Sequence, residues 1–177
     1  LAVPDRTLED QLQAAIDAGA GAATIFGPCL GTAADGSPLL ERLTVLARRA
    51  EMPVCGGNGM GFVNAARRLT VCGFYQPTET EPGSVTLLTH SGSFFSAALH
   101  GGSRLGFNLV VSTGNELATT MDSYLSYALG MPSTAVVGLF LETIRRPVEF
   151  AAALEDATQR DIPVVALKVG RTERGRA

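Results

Sequence analysis

The chain has 177 residues, 46% hydrophobic and 18% charged, with 20 glycines and a net charge of −3. That length allows a good core and one or two domains, and the mild acidity excludes a nucleic-acid-binding footprint. The longest apolar runs have only strand length and no signal peptide is evident, so no membrane span is expected and a cytoplasmic α/β protein is.

Taken in chain order, residues 1–4 read as the tail of a strand. Asp5 or Thr7 is placed to cap a helix over residues 8–18, whose apolar side chains Leu8, Leu12, Ala15 and Ile16 share a face, and Gly19 stops it. Residues 22–26 form a short strand, followed by a loop to Ser37. Pro38 opens the next helix, with Leu39, Leu40, Leu43, Leu46 and Ala47 as its apolar stripe. A strand at residues 52–55 then runs into Gly56-Gly57-Asn58-Gly59-Met60-Gly61. Strand, helix, strand, helix, strand is the rhythm of a parallel sheet. Residues 62–83 carry a weaker pattern, with Arg67-Arg68 as a solvated corner and residues 77–83 as a linker. The reading divides the chain into a first unit at residues 1–64, a linker at 65–83 and a second unit at 84–177.

The second unit is more regular. Its strands fall at residues 85–89, 107–111, 135–141 and 163–169, and its helices at 93–101, 119–129 and 147–160. Buried apolar strands alternating with helices suit two consecutive parallel-sheet units. Right-handed crossovers bring the strand ends to one edge, so residues 90–93, 112–115, 142–144 and 170–174 face a common crevice. Ser91, Gly92 and Ser93 put small residues, two hydroxyls and unpaired N–H groups at a helix mouth. A helix start with free donors and a positive dipole end is an anion site. Ser112-Thr113-Gly114-Asn115 brings a second small polar turn to the same edge. Tight turns alone also use Gly and Ser, so this composition serves either purpose.

Glu142 ends the most apolar strand of the chain and is aimed at the crevice, where a carboxylate can orient an imidazole, accept a proton or hold a cation. The plainer role is a helix cap or an ion pair with Arg145 or Arg146. Asn115 and Asp122 also serve as ordinary turn and cap residues, and Lys168, inside a strand, is placed to pair with a buried acid. His90 adjoins the Ser-Gly-Ser turn and could touch a phosphate or act as a base; His100, near a helix end, suits terminal carbonyls. No Gly-x-Ser-x-Gly elbow and no Gly-Lys-Ser/Thr occurs, which excludes P-loop nucleotide hydrolysis. Three cysteines without a CxxC pair point to reduced thiols, and nothing has zinc-ligand spacing, so no metal site is expected.

Five motifs in order resemble one family. Thr89-His90-Ser91-Gly92-Ser93 resembles the Ser-(Gln/Arg)-Ser-Gly-(Ala/Thr) turn of the NDP-forming acyl-CoA synthetases, the superfamily that includes the α subunit of succinyl-CoA synthetase. Gly57-Asn58-Gly59-Met60-Gly61 resembles Gly-Pro-Asn-Cys-Leu-Gly, and Ser112-Thr113-Gly114-Asn115 resembles Ser-x-Gly-Asn. Leu139-Phe140-Leu141-Glu142 is similar to a strand ending Tyr-Leu-Glu, and residues 166–173 to Leu-Lys-x-Gly-Arg-Thr-Glu. Ala2-Val3-Pro4 resembles the family's Val-Pro loop more loosely.

The resemblance implies the latter part of a Rossmann-like CoA-binding domain followed by a flavodoxin-like domain of succinyl-CoA-synthetase type. It implies acyl-CoA formation from a small carboxylic acid, CoA and ATP with magnesium, through acyl phosphate and a phosphohistidine. Ser91, Gly92, Ser93, Gly114 and Asn115 would hold the phosphoryl group, Glu142 would hydrogen-bond the histidine, and Val3, Pro4 and Asn58 would lie along the CoA path. An ATP-grasp domain or subunit would handle the nucleotide, and a homo- or hetero-oligomer fits the family. Two departures stand out. The family's histidine loop would follow Arg176-Ala177, and Gly59 replaces the motif's cysteine. Neither His90 nor His100 matches the nucleophile's position. The chain thus reads as a fragment, inactive by itself. Two other readings remain open: a non-catalytic CoA- or nucleotide-binding regulatory module, and a flavodoxin-like domain binding a different phosphate ligand.

Overall fold

A computed structural model describes residues 1–74, 82–101 and 105–170. In the first unit, helix α1 (Asp5–Asp17) and helix α2 (Leu39–Arg49) lie on one face of a two-stranded parallel sheet, β1 (Ala23–Ile25) and β2 (Val54–Gly56). Leu8, Leu12, Leu39, Leu43 and Ala47 recur at helical spacing and close over Ile25 and Val54. The tail at residues 1–4 is not a strand; the Phe26 N–H reaches the Leu1 carbonyl at 3.4 Å beside β1. Asp5 does not cap α1 but begins it, and its Oδ2 instead accepts from the N–H groups of Leu30 and Gly31 at 2.8 and 3.2 Å.

The second sheet has six strands in the order β4 (Leu69–Cys72), β3 (Gly61–Asn64), β6 (Phe107–Ser112), β5 (Val85–Thr89), β7 (Val136–Leu141), β8 (Val164–Lys168). Its parallel part is β5, β6, β7 and β8. Helix α3 (Gly92–Gly101) covers one face through Phe95 and Leu99. Helices α4 (Met121–Leu129) and α5 (Pro147–Gln159) cover the other through Leu125, Leu129, Phe150 and Ala153. With α3 crossing to one side of β5 and α4 to the other, the strand order reverses between β5 and its neighbours, and ligand crevices of open α/β sheets form outside such switch points.

One expectation is corrected here. Residues 65–72, read as the start of a linker, complete a hairpin: β3 (Gly61–Asn64), a short 3-10 turn (Ala65–Arg67) and β4 (Leu69–Cys72). Strand β3 pairs antiparallel to both β4 and β6, so the second sheet is mixed rather than wholly parallel. The physical reason is the free edge of β6, which Phe62 and Val63 pair with while Val63 enters the core beneath α3. Residues 75–81, the rest of the expected linker, lie outside the described residues.

The two sheets are joined by main-chain bonds. The N–H groups of Asn115, Leu117 and Thr119 donate to the carbonyls of Gly57, Gly56 and Val54 at 2.7, 2.8 and 3.3 Å. Val54 N–H returns a bond to Thr119 Oγ1 at 3.1 Å, and Leu117 packs into the first unit's core. At the end of this seam Gly114, with φ of +59°, lies directly on the Gly57–Gly59 turn; a Cβ there would strike the Gly57 carbonyl and come within 2.6 Å of Gly59 N. Gly114→Ala is therefore expected to destabilise the chain by about 3 kcal/mol or more, combining left-handed strain with a clash that backbone must absorb. Gly21→Ala, where nothing lies within 4 Å, should stay within about 0.5 kcal/mol. Urea denaturation of the two variants checks the contrast.

Candidate functional site

A cavity of about 430 Å³ opens at the carboxyl ends of β5, β6 and β7, lined by Asn58, Met60, His90, Ser91, Gly92, Ser93, Ser96, Gly114, Asn115 and Glu142. Seven of the nine residues singled out from the sequence thus meet in one place: Ser91, Gly92, Ser93, Gly114, Asn115, Asn58 and Glu142. Val3 and Pro4 do not line it. They sit at the entry to α1, and Val3 O lies 3.7 Å from where a Gly27 Cβ would be. The loop at residues 27–28 connects the two places, since Gly27 O accepts from Asn58 N–H at 2.7 Å and Pro28 O from Asn115 Nδ2 at 3.5 Å.

One end of the cavity is built by the start of α3. Ser91 Oγ accepts from Phe94 N–H at 3.2 Å, which makes Ser91 the cap, and Ser91 N–H is itself taken by Thr89 Oγ1 at 2.9 Å. The N–H groups of Gly92 and Ser93, in the first helical turn, have no helical carbonyl to reach. Gly92 also lets the helix approach the turn of the first unit, because a Cβ there would lie 2.7 Å from Met60 Cγ.

Glu142 is exposed at the end of β7, and among the described residues its carboxylate has no ion-pair partner. The arginines proposed for it are engaged elsewhere: Arg145 with Glu116 at 3.6 Å, and Arg146 with Asp122 at 3.3 Å and Glu149 at 2.6 Å. Its main chain is held on both sides. The N–H donates to His90 Nδ1 at 3.1 Å, and the carbonyl accepts from Lys168 Nζ at 2.9 Å. Lys168 therefore meets main-chain carbonyls, not the buried acid expected of it.

His90 is buried beside the cavity, its Nε2 3.0 Å from Oε1 of the fully buried Glu116. With both ring nitrogens engaged it is not free to act as a base. His100 bonds the Ser96 carbonyl at 2.7 Å and stacks on Phe74, as its helix-end position suggests. Of the two aromatic residues in the first turn of α3, Phe95 is fully buried in the core and Phe94 stacks on Phe140. The sequence reading missed Met60, Ser96 and Glu116. Only Ser96, at helical spacing from Gly92 and Ser93, carried a usable signal.

All three cysteines are free thiols. Burial pushes Cys29 and Cys72 up to about 11, with the Asp5 charge adding to the effect at Cys29. Cys29 Sγ also lies where a Gly57 Cβ would be, so it packs under the crevice turn.

A flavodoxin-like strand order with an open helix start, a second glycine turn and a carboxylate at the next strand end defines an open α/β domain with a polar crevice at its switch point. The chain belongs to the succinyl-CoA ligase like flavodoxin domain family, whose profile matches residues 82–177. It is 27% identical over 143 residues to the acetate–CoA ligase (ADP-forming) I of Archaeoglobus fulgidus, covering 80% of this chain and 20% of that protein. It is 28% identical over 182 residues to a trans-feruloyl-CoA synthase from an unknown prokaryote, covering 98% of this chain and 26% of that one. Among solved structures, the dinucleotide-forming acetyl-coenzyme A synthetase 1 of Ca. Korarchaeum cryptofilum is similar. Its apo form gives a TM-score of 0.84 at 25% identity, over 99% of this chain and 38% of that one. Its complex with phosphate and ADP gives 0.80, also at 25%, over 98% and 37%. The chain spans only a fifth to a quarter of the length of these curated relatives.

Because the folded state raises these thiol pKa values, it binds their protons more tightly than the unfolded chain does. Their contribution to stability is complete below the unfolded value of 9.0 and is lost as pH rises toward about 11. The urea midpoint should fall as pH rises from about 9 to about 11; a midpoint level across that range contradicts the burial of these thiols. Removing the cap with Ser91→Ala should cost about 1 kcal/mol in the same assay.

Proposed function

We infer that this chain is the CoA-binding and phosphoryl-handling part of an NDP-forming acyl-CoA synthetase. The whole protein would convert a carboxylic acid, CoA and ATP into acyl-CoA, ADP and phosphate. The single observation that carries the reading is the meeting of Ser91, Gly92, Ser93, Gly114, Asn115, Asn58 and Glu142 in one cavity of a chain from this family. The relatives' names, acetate–CoA ligase and trans-feruloyl-CoA synthase, support the class of reaction and differ in the acid.

In this reading the open N–H groups of Gly92 and Ser93, with the Ser93 and Ser96 hydroxyls, receive a phosphoryl oxygen; a helix start supplies both donors and a favourable dipole for it. Glu142 accepts a hydrogen bond from the imidazole that carries the phosphoryl group and fixes its tautomer. In this reading that histidine is neither His90 nor His100. Asn58, exposed on a left-handed turn between the units, and the Val3-Pro4 segment border the path of CoA. ATP with magnesium, an ATP-grasp domain or partner subunit, an oligomeric assembly and a cytoplasmic setting complete the proposal. No described helix is long and apolar enough to cross a membrane.

Intact-mass measurement of the full-length protein after incubation with ATP and magnesium tests this directly. An acid-labile phosphoryl adduct that disappears as CoA and a short-chain acid are turned into acyl-CoA is the expected result. CoA binding without adduct or acyl-CoA would favour the regulatory module instead. Glu142→Gln should retain CoA binding and lower turnover about a hundredfold or more, within the range for a positioned acid–base group.

A further inference from the structure

Behind the cavity wall lies a pair that the phosphoryl chemistry leaves unused. His90 is 8% exposed and the Glu116 side chain is 0% exposed. A neutral imidazole has one donor nitrogen and one acceptor. The Glu142 N–H can only donate, so the His90 Nδ1 that receives it at 3.1 Å holds the lone pair and the ring proton is on Nε2. Nε2 then donates to Glu116 Oε1 at 3.0 Å, and a carboxylate at that spot selects this tautomer. The second carboxylate oxygen of Glu116 is buried without a hydrogen bond, with Arg145 Nε 3.6 Å away. Glu116 thus grips the segment after β7 twice, at Glu142 through His90 and at Arg145 by charge. Glu116 also sits in the left-handed region, with φ of +52°. Buried charge and backbone strain are unfavourable for the fold and gather where a site needs a fixed geometry.

We propose that His90 and Glu116 act together as positioning residues for Glu142: Glu116 fixes the Nε2–H tautomer of His90, and His90 Nδ1 then holds the Glu142 peptide so that its carboxylate stays at the cavity. The proposal rests on the reading of Glu142 as the site's working carboxylate. It also accounts for a histidine at a phosphate-binding turn that has no free nitrogen to offer a substrate.

Two measurements on the full-length protein test it. With histidine ring nitrogens labelled, NMR should find Nδ1 of His90 unprotonated and Nε2 protonated; the opposite tautomer overturns the proposal. His90→Asn places an acceptor near the position of Nδ1, whereas His90→Leu fills similar space with none, and both lose the bond to Glu116. Acyl-CoA formation by His90→Asn should exceed that of His90→Leu tenfold or more in kcat, with KM for CoA similar in both. Equal rates overturn it, because burial alone would then be the role of His90. Should either variant fail to fold, the Glu142 amide proton shift in Glu116→Leu decides. That variant removes the acceptor for Nε2–H and frees the ring to take the Nδ1–H tautomer, so the shift should leave its wild-type hydrogen-bonded value; an unchanged shift overturns the proposal. A wild-type protein that makes no acyl-CoA would overturn the functional reading, while the tautomer and amide shift would still report on the hold itself.

Discussion

The crevice exists because segment 115–119 lies along β2 as if it were a further strand. Three N–H groups from one sheet's strand-end turn enter three carbonyls of the other sheet, and Thr119 Oγ1 takes one bond in return. Buried main-chain groups that fail to pair are costly, so an edge such as that of β2 must be covered by something with matching spacing. The cover comes from the turn after β6, which is why the Gly114-Asn115 pair and the Asn58 turn come to the same place. Gly114 and Gly59 remove the side chains that would hold the two turns apart.

Hydroxyls at the mouth of the crevice are largely committed to holding it. Ser112 Oγ accepts from Met60 N–H at 3.1 Å, Thr89 Oγ1 takes Ser91 N–H, and Ser91 Oγ caps α3. A turn rich in serine and threonine therefore offers a ligand fewer hydroxyls than its composition suggests. The donors left over are the Ser93 and Ser96 hydroxyls and the backbone N–H groups at the helix start, where the dipole contributes about half an elementary charge. Binding of this kind is shaped by the fold rather than by any one side chain.

The alternating strand and helix pattern was legible because apolar side chains recur at periods of two and 3.6, and because Gly and Pro punctuate them. The strand ends then follow from crossover handedness, which is how Ser91, Asn115 and Glu142 could be placed together without coordinates. The hairpin at residues 61–72 escaped notice for a physical reason. Its inner strand has Gly and Asn at its ends, and its outer strand is an edge with Leu69 and Thr70 exposed, so neither shows a clean apolar alternation. Glu116 was invisible for a different reason: a glutamate in a loop sequence is ordinarily solvated, and its burial here depends on His90, 26 residues earlier in the chain. Helix phase likewise sends Phe95 into the core and leaves Phe94 against Phe140, a split that adjacency in sequence does not reveal.

The charge arrangement bears on what the cavity suits. A site meant for free phosphate would surround it with donors and cations, and an exposed carboxylate lining the same cavity would oppose a dianion. Glu142 is such a carboxylate, free of arginine or lysine at its oxygens among the described residues, while the helix start of α3 lines the same cavity. That combination favours a ligand that is anionic at one end and an N–H donor at the other. A phosphorylated imidazole has both: phosphoryl oxygens for the N–H groups of Gly92 and Ser93, and a ring N–H for Glu142. Free phosphate would have only a P–OH to offer Glu142 and, as a dianion, would meet repulsion from its charge. On the proposed reading, the His90–Glu116 pair would keep this carboxylate at a fixed distance from the bound anion.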